Sequence, residues 1–212
     1  MNEHFKTPET IRACARSSTL KVSSPLLAAQ ARNETGIGII IVPTKLLGEQ
    51  TAQIASRCGL RALAINEDTV RSAYYENWAL FNELADGKDV RVGVMSPQML
   101  QSERMVKLLG NSKFKKSTRW ILIDEAHLAD EQSGTWRVSY KLLQTLNARL
   151  LPSTVWCAVT GTATPKRAVK IVSSLGLQSG SYVNARYSVD RHNVKYILLF
   201  FKNAVSGYEF LD

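Results

Sequence analysis

Cysteine is scarce in this sequence of 212 residues: three thiols, Cys14, Cys58 and Cys157, stand far apart. An odd number with no Cys-x-x-Cys pair excludes a disulfide framework and a thiolate zinc site, so they read as reduced thiols behaving as small hydrophobes. No apolar run reaches the roughly 18 to 20 residues needed to cross a bilayer. The opening MNEHFKTPET lacks the apolar stretch of a secretory signal. Internal repeats, low-complexity tracts and Gly/Ser linkers are absent too. These absences lead us to expect a soluble intracellular protein without a membrane partner, long enough for one sizeable core.

What is present is mildly basic. Lys and Arg total 27 against 18 Asp and Glu, a net charge of +9. The basic residues are dispersed apart from two groups: Lys113, Lys115, Lys116 and Arg119, then Lys166, Arg167 and Lys170. Such a surplus attracts polyanions and suggests a nucleic-acid partner. A solvated basic face with no dedicated ligand is the plain alternative, and charge alone does not separate the two.

Short apolar runs at 37–42 (IGIIIV), 60–65 (LRALAI), 90–95 (VRVGVM), 120–123 (WILI) and 155–159 (VWCAV) read as buried strands. Helical patterns fall between or after them at 45–58, 74–85, 98–109, 136–150 and 165–175. Alternation of this kind predicts an α/β fold with βαβ crossovers and a mainly parallel sheet. Ligands of such sheets bind beyond the carboxyl ends of the strands. Residues 1–35 are less regular, 36–200 form the expected lobe, and 201–212 read as a tail or the start of a linker. A closing strand is expected at 196–201.

The sharpest feature follows the strand at 120–123, which runs straight into Asp124-Glu125-Ala126-His127. On its own, Asp-Glu at a strand end reads as a solvated, helix-capping pair. In a nucleotide hydrolase the same position serves Mg²⁺, which commonly takes one or two carboxylates and completes its shell with water and phosphate oxygens. Asp124 would hold the metal through water, and Glu125 would orient and deprotonate the water that attacks the γ-phosphate. His127 would face the Thr-rich segment or a second lobe.

Asp124-Glu125-Ala126-His127 resembles motif II of DEAH-type superfamily 2 helicases, and further segments resemble that family in the right order. Residues 41–47 (IVPTKLL) resemble motif Ia, with Thr44 and Lys45 as nucleic-acid contacts. Residues 94–100 (VMSPQML) resemble motif Ib, with Ser96 in that role. Thr160, Thr162 and Thr164 lie in a segment, TGTATP, that resembles motif III of RecQ-type enzymes and would couple the nucleotide and DNA sites. Trp136-Arg137 followed by Tyr140 is similar to that family's Phe-Arg…Tyr element, again facing nucleic acid. Tyr187, Arg191 and Asn193 resemble the segment that closes its first lobe. Each has a structural rival: Thr44 and Ser96 as helix caps, the Thr-rich segment as a plain turn, Trp136 and Tyr140 as core residues at helical spacing.

The resemblance implies a RecA-like P-loop NTPase lobe with helices on both faces of the sheet, in three α/β/α layers. It further implies an ATP-dependent 3′-to-5′ DNA helicase using ATP and Mg²⁺ on single-stranded or forked DNA, resident in the nucleus. Two departures stand against a working motor. No glycine precedes Gly36, so the family's phosphate loop is missing its cradle; Ser18 takes the lysine position and Thr19 the hydroxyl position that joins the metal. The stretch 128–135 carries Gln132 where the family has a stacking tryptophan. With the chain ending at Asp212, the expectation is a truncated or impaired lobe that a second lobe or a complete helicase would complement in trans. The alternatives are a non-catalytic module that binds nucleic acid or docks onto a helicase, and a gene model whose phosphate loop lies upstream.

Overall fold

The structure, a computed structural model, describes residues 36–130, 135–177, 182–186, 195 and 197; of residues 135–139 and 141 only the backbone is described. Five strands form one sheet: β1 (Ile37–Ile41), β2 (Ala62–Ile65), β3 (Val92–Met95), β4 (Thr118–Ile123) and β5 (Val155–Ala158). Their order is β2-β3-β1-β4-β5, and every neighbouring pair is parallel. The α/β class and all five expected strands are present. β-branched residues place the central β1 and β3, buried along their whole length, and much of β4, whereas β2 (ALAI) and β5 (VWCA), at the two ends of the order, have one each and are mostly half-buried.

Seven α-helices are described: α1 (Lys45–Arg57), α2 (Glu67–Tyr75), α3 (Leu80–Asp86), α4 (Glu103–Gly110), α5 (Ser112–Ser117), α6 (Thr135–Arg149) and α7 (Pro165–Ser174). Alternate residues of β1 point into two separate cores. Ile37, Ile39 and Ile41 join Leu84, Met105, Phe114, Tyr140 and Ile171, from α3 through α7. Ile40 and Val42 join Ala52 and Ala55 of α1. The connection β1-α1-β2 runs one way across the sheet, whereas those from β2 to β5 run the other way. With a single crossover hand, direction decides the face, which puts α1 opposite the other crossover helices. Helices therefore cover both faces, as expected.

Three local readings need correction. The single helix expected at 74–85 is two, α2 and α3, because Asn77 adopts a left-handed φ of 51° and breaks the run. α2 also begins earlier, where the Asn66 side chain accepts from the backbone N–H of Asp68 and Thr69 while Thr69 accepts from Asn66 N–H. The helix expected at 98–109 is a 3-10 turn, Pro97–Gln101, followed by α4; Ser102 separates them by capping Met105 N–H at 3.3 Å. Finally, α5 lies inside the basic cluster, started by Asn111, which accepts from Lys113 N–H and Phe114 N–H, and anchored by the fully buried Phe114.

Residues 1–35, the closing strand at 196–201 and the tail at 201–212 lie outside the described residues, Lys195 and Ile197 apart. Among the described residues, no helix is long and apolar enough to cross a membrane. Cys58 and Cys157 are half-buried and form no disulfide among the described residues.

Candidate functional site

All five strands end at one edge, so the segments that follow them are neighbours. Hydrogen bonding continues past the strand ends: Val42 N–H donates to Met95 O at 3.0 Å, Asp124 N–H to Ile41 O at 2.9 Å, and Val159 N–H to Ile123 O at 2.9 Å. The connections leaving β1 and β4 diverge to opposite sides, which makes their adjacent carboxyl ends the switch point where doubly wound sheets hold ligands. Asp124 sits there, 5% exposed.

The turn after β4 is tight. Glu125 adopts a left-handed φ of 48°, a conformation that costs a non-glycine residue roughly 1–2 kcal/mol. Its N–H donates to Asp124 Oδ1 at 2.9 Å, and Ala126 N–H donates to Val159 O at 2.9 Å. A 3-10 turn, Ala126–Asp130, carries the chain away. Local strain of this kind persists where surrounding contacts hold it. One such contact is the fully buried Tyr140 on α6, whose hydroxyl donates to Asp124 O at 3.3 Å. Tyr140 is thus a core residue, the plainer of its two readings.

His127 joins the two halves of the edge. Its Nδ1 lies 3.1 Å from Glu125 Oε2 and 3.0 Å from Thr160 Oγ1. Thr160 Oγ1 in turn accepts from Thr162 N–H at 3.3 Å. Thr164 caps α7 by accepting from Arg167 N–H at 3.3 Å. The structure therefore brings Asp124, Glu125, His127, Thr160 and Thr162 into one cluster.

Thr44 accepts from Leu47 N–H at 3.3 Å and caps α1, while Lys45 is ion-paired with Asp68. Asp68 also holds Arg71 at 2.6 Å. Ser96 makes no capping bond; Pro97 opens the next turn. Trp136 and Arg137 lie in the first turn of α6, with their side chains outside the described residues. Ser18, Thr19, Tyr187, Arg191 and Asn193 are also outside them, as is Gln132.

Sequence reasoning missed Arg167. Its guanidinium donates to His127 O at 3.2 Å and lies 3.6 Å from Asp130, clamping α7 onto the turn that carries His127. The available signal was its position three residues after the capping Thr164. Arg186 likewise donates to Ala163 O at 3.2 Å.

With this geometry in view, the family model of DEAD/DEAH box helicases matches residues 18–172. The chain belongs to the DEAD/DEAH box helicase family. Within the family it is similar to the ATP-dependent DNA helicase RecQ of Bacillus subtilis (strain 168), 25% identical over 162 residues, covering 76% of this chain and 26% of RecQ. The chain thus spans about a quarter of that curated relative. Its fold is similar to the helicase domain of Hef from Pyrococcus furiosus, with a TM-score of 0.53 at 18% identity over 77% of this chain and 33% of that one. It is also similar to the DUF1998 helicase MrfA bound to DNA, with a TM-score of 0.53 at 17% identity over 77% of this chain and 22% of that one. These structural likenesses show a shared fold: the parallel sheet with its flanking helices is that of a RecA-like helicase lobe.

Proposed function

We propose that this chain is the first RecA-like lobe of a RecQ-type, 3′-to-5′ DNA helicase, holding single-stranded or forked DNA but impaired in ATP hydrolysis. The observation that carries the reading is the pair Asp124 and Glu125 at the switch point, with His127 bridging to Thr160. Among the described residues, no group of three or more His, Cys, Asp or Glu is placed to hold a metal ion. Two carboxylates are nevertheless what Mg²⁺ commonly takes when a nucleotide supplies the remaining oxygens, so the donor set fits Mg²⁺ with ATP. Together these supply a phosphoryl group whose charge is partly neutralised.

Each residue then has a task. Asp124 would hold Mg²⁺ through its water shell, with Thr19 as the candidate hydroxyl beside it. Glu125 accepts the proton of the attacking water. His127, with Thr160, Thr162 and Thr164, links that carboxylate to α7 and to the lobe surface. Thr44, Lys45, Ser96, Trp136 and Arg137 meet the nucleic-acid backbone and bases. Ser18 stands where the family has its lysine, so one fixed positive charge opposite the phosphates is gone. Losing a preorganised group at a reacting centre commonly costs on the order of 10²- to 10³-fold in rate.

The test is phosphate release with and without DNA. We expect no DNA-stimulated turnover above background; turnover that disappears in Glu125→Gln overturns the impairment. Ser18→Lys is expected to tighten Mg²⁺-dependent nucleotide binding. Single-stranded DNA binding is expected in the micromolar range and to weaken steeply with salt. Affinity that is constant from low to physiological salt overturns the electrostatic contact.

A second reading, a non-catalytic module that grips nucleic acid or docks onto a complete helicase or a second lobe in trans, is favoured by the sequence at 14–20, which has neither glycine nor lysine. DNA binding indifferent to nucleotide supports it. Nuclear residence goes with the first reading and is checked by imaging a tagged chain.

A further inference from the structure

Away from the carboxyl edge, one concavity combines aromatic rings, cations and amides. Trp78, Phe81, Asn82, Arg104, Lys107 and Asn111 line a cavity of about 360 Å³ between the start of α3 and the outer side of α4. Its tryptophan is held in place. The left-handed turn at Asn77 delivers Trp78 from the end of α2. Trp78 N–H then donates to Ala73 O at 2.8 Å, and the indole Nε1–H donates to Glu83 Oε1 at 2.7 Å. A half-buried ring fixed in one orientation loses little freedom when a second ring stacks on it.

Arg104 and Lys107 are one turn apart on α4 and exposed. Lys107 shares its charge with Glu103 at 2.7 Å, while among the described residues Arg104 has no ion-pair partner. Asn111 uses its Oδ1 to cap α5, which leaves its Nδ2 as a donor. α4 follows directly from the 3-10 turn that Ser96 begins. Glu83, which holds Trp78, also pairs with Arg61 just before β2, so the cavity stands apart from the carboxyl edge.

Carboxylates of an acidic peptide would satisfy the two cations but leave the rings unused. A flat base joined to phosphates uses both, since aromatic faces stack bases and Arg or Lys neutralise the backbone. We propose that this cavity is a subsite for one unstacked nucleotide of a single strand. The base lies on Trp78 and Phe81, the amides of Asn82 and Asn111 meet its edge, and the phosphates lie along Arg104 and Lys107. The proposal rests on the reading that the lobe binds single-stranded DNA.

The experiment is anisotropy of a fluorescent oligothymidylate titrated with the full chain at several salt concentrations, with thermal melts confirming that each variant is folded. Trp78→Leu is expected to weaken binding about fivefold or more, and Trp78→Phe to retain most of the affinity. Arg104→Ala and Lys107→Ala should each lower the slope of log affinity against log salt by about 0.7. An iododeoxyuridine-bearing strand is expected to photo-crosslink to the peptide holding Trp78 and Phe81. If the wild type binds the strand and all four variants match it, the subsite is overturned while the lobe reading stands. If the wild type binds no strand, the lobe reading falls and this proposal with it. Polyglutamate competing as well as oligothymidylate would also overturn the subsite, marking a surface that reads charge alone.

Discussion

The two ends of one sheet are built on different physics. At the carboxyl end, backbone and side-chain hydrogen bonds run from strand to strand through Asp124, Glu125, His127 and Thr160, and a left-handed Glu125 is tolerated among them. At the amino end the chain relies on close approach and surface charge. A Cβ added at Gly38 would collide with the Trp120 indole, and one added at Gly36 with the Arg119 side chain. Arg91 donates to Gly36 O at 3.0 Å, Arg61 pairs with Glu83 at 3.1 Å, and Asp86 pairs with Lys113. The difference shows where strain is stored. The end that would do chemistry carries the unfavourable backbone and the shared polar groups; the opposite end carries packing that admits no change and ion pairs that matter little.

That contrast breaks most readily at the amino end. Gly38→Ala overfills the contact between β1 and Trp120 and should cost about 1–3 kcal/mol, read as a lower denaturant midpoint. A smaller side chain at Trp120 should return most of the loss, and an unchanged midpoint in the single variant would remove close approach as the device that holds this end. At the other end the sign should reverse. Glu125→Gly relieves the left-handed residue and is expected to raise stability by about 1 kcal/mol, whereas Glu125→Gln, which keeps the Cβ, should not. Destabilisation by Glu125→Gly would mean that the turn is unstrained.

Arg167→Ala, which frees His127 O and Asp130, should lower stability by about 1 kcal/mol and broaden the His127 ring resonances in NMR. Sharp, unshifted signals would sever the link between α7 and the turn. Smallest of all is the exposed Asp86. Lys113, by hydrogen bond and then by charge, holds its carboxyl below the ordinary value of 3.8, with Lys88 adding slightly. A lowered carboxylate contributes stability above its ordinary range and loses it as pH falls through the lowered value. Asp86→Asn should therefore remove a small contribution near neutral pH at low salt and change nothing in acid, where the wild type has already lost it, so that the acid limb is slightly flatter. A large loss at pH 7 that added salt abolishes would make this end electrostatic after all.

Much of this was legible in the residues. The five strands are short apolar runs, and strand-end polarity marked Asp124 and Glu125. Local chemistry hid the rest. A single Asn77 in a left-handed turn divides one apparent helix into α2 and α3, and asparagine is only one of several residues that take that conformation. Helix α5 was masked by its own lysines, since SKFKKS reads as charge until Phe114 is seen to be buried. Lys45, legible as a free cation, is joined to Asp68, a pairing of partners on different helices.

By itself the sequence determined the alternation of strand and helix, the placing of hydroxyls and carboxylates just past strand ends, and a stretch at 14–20 without glycine or lysine. These are local properties, written in side-chain shape and spacing. Only the tertiary structure decided that β1 and β4 are neighbours with diverging connections, that His127 meets Thr160, and that Arg167 clamps the turn between them. Those contacts join residues tens of positions apart, and they follow from the order of strands in the sheet, which crossover direction sets and which no single segment encodes.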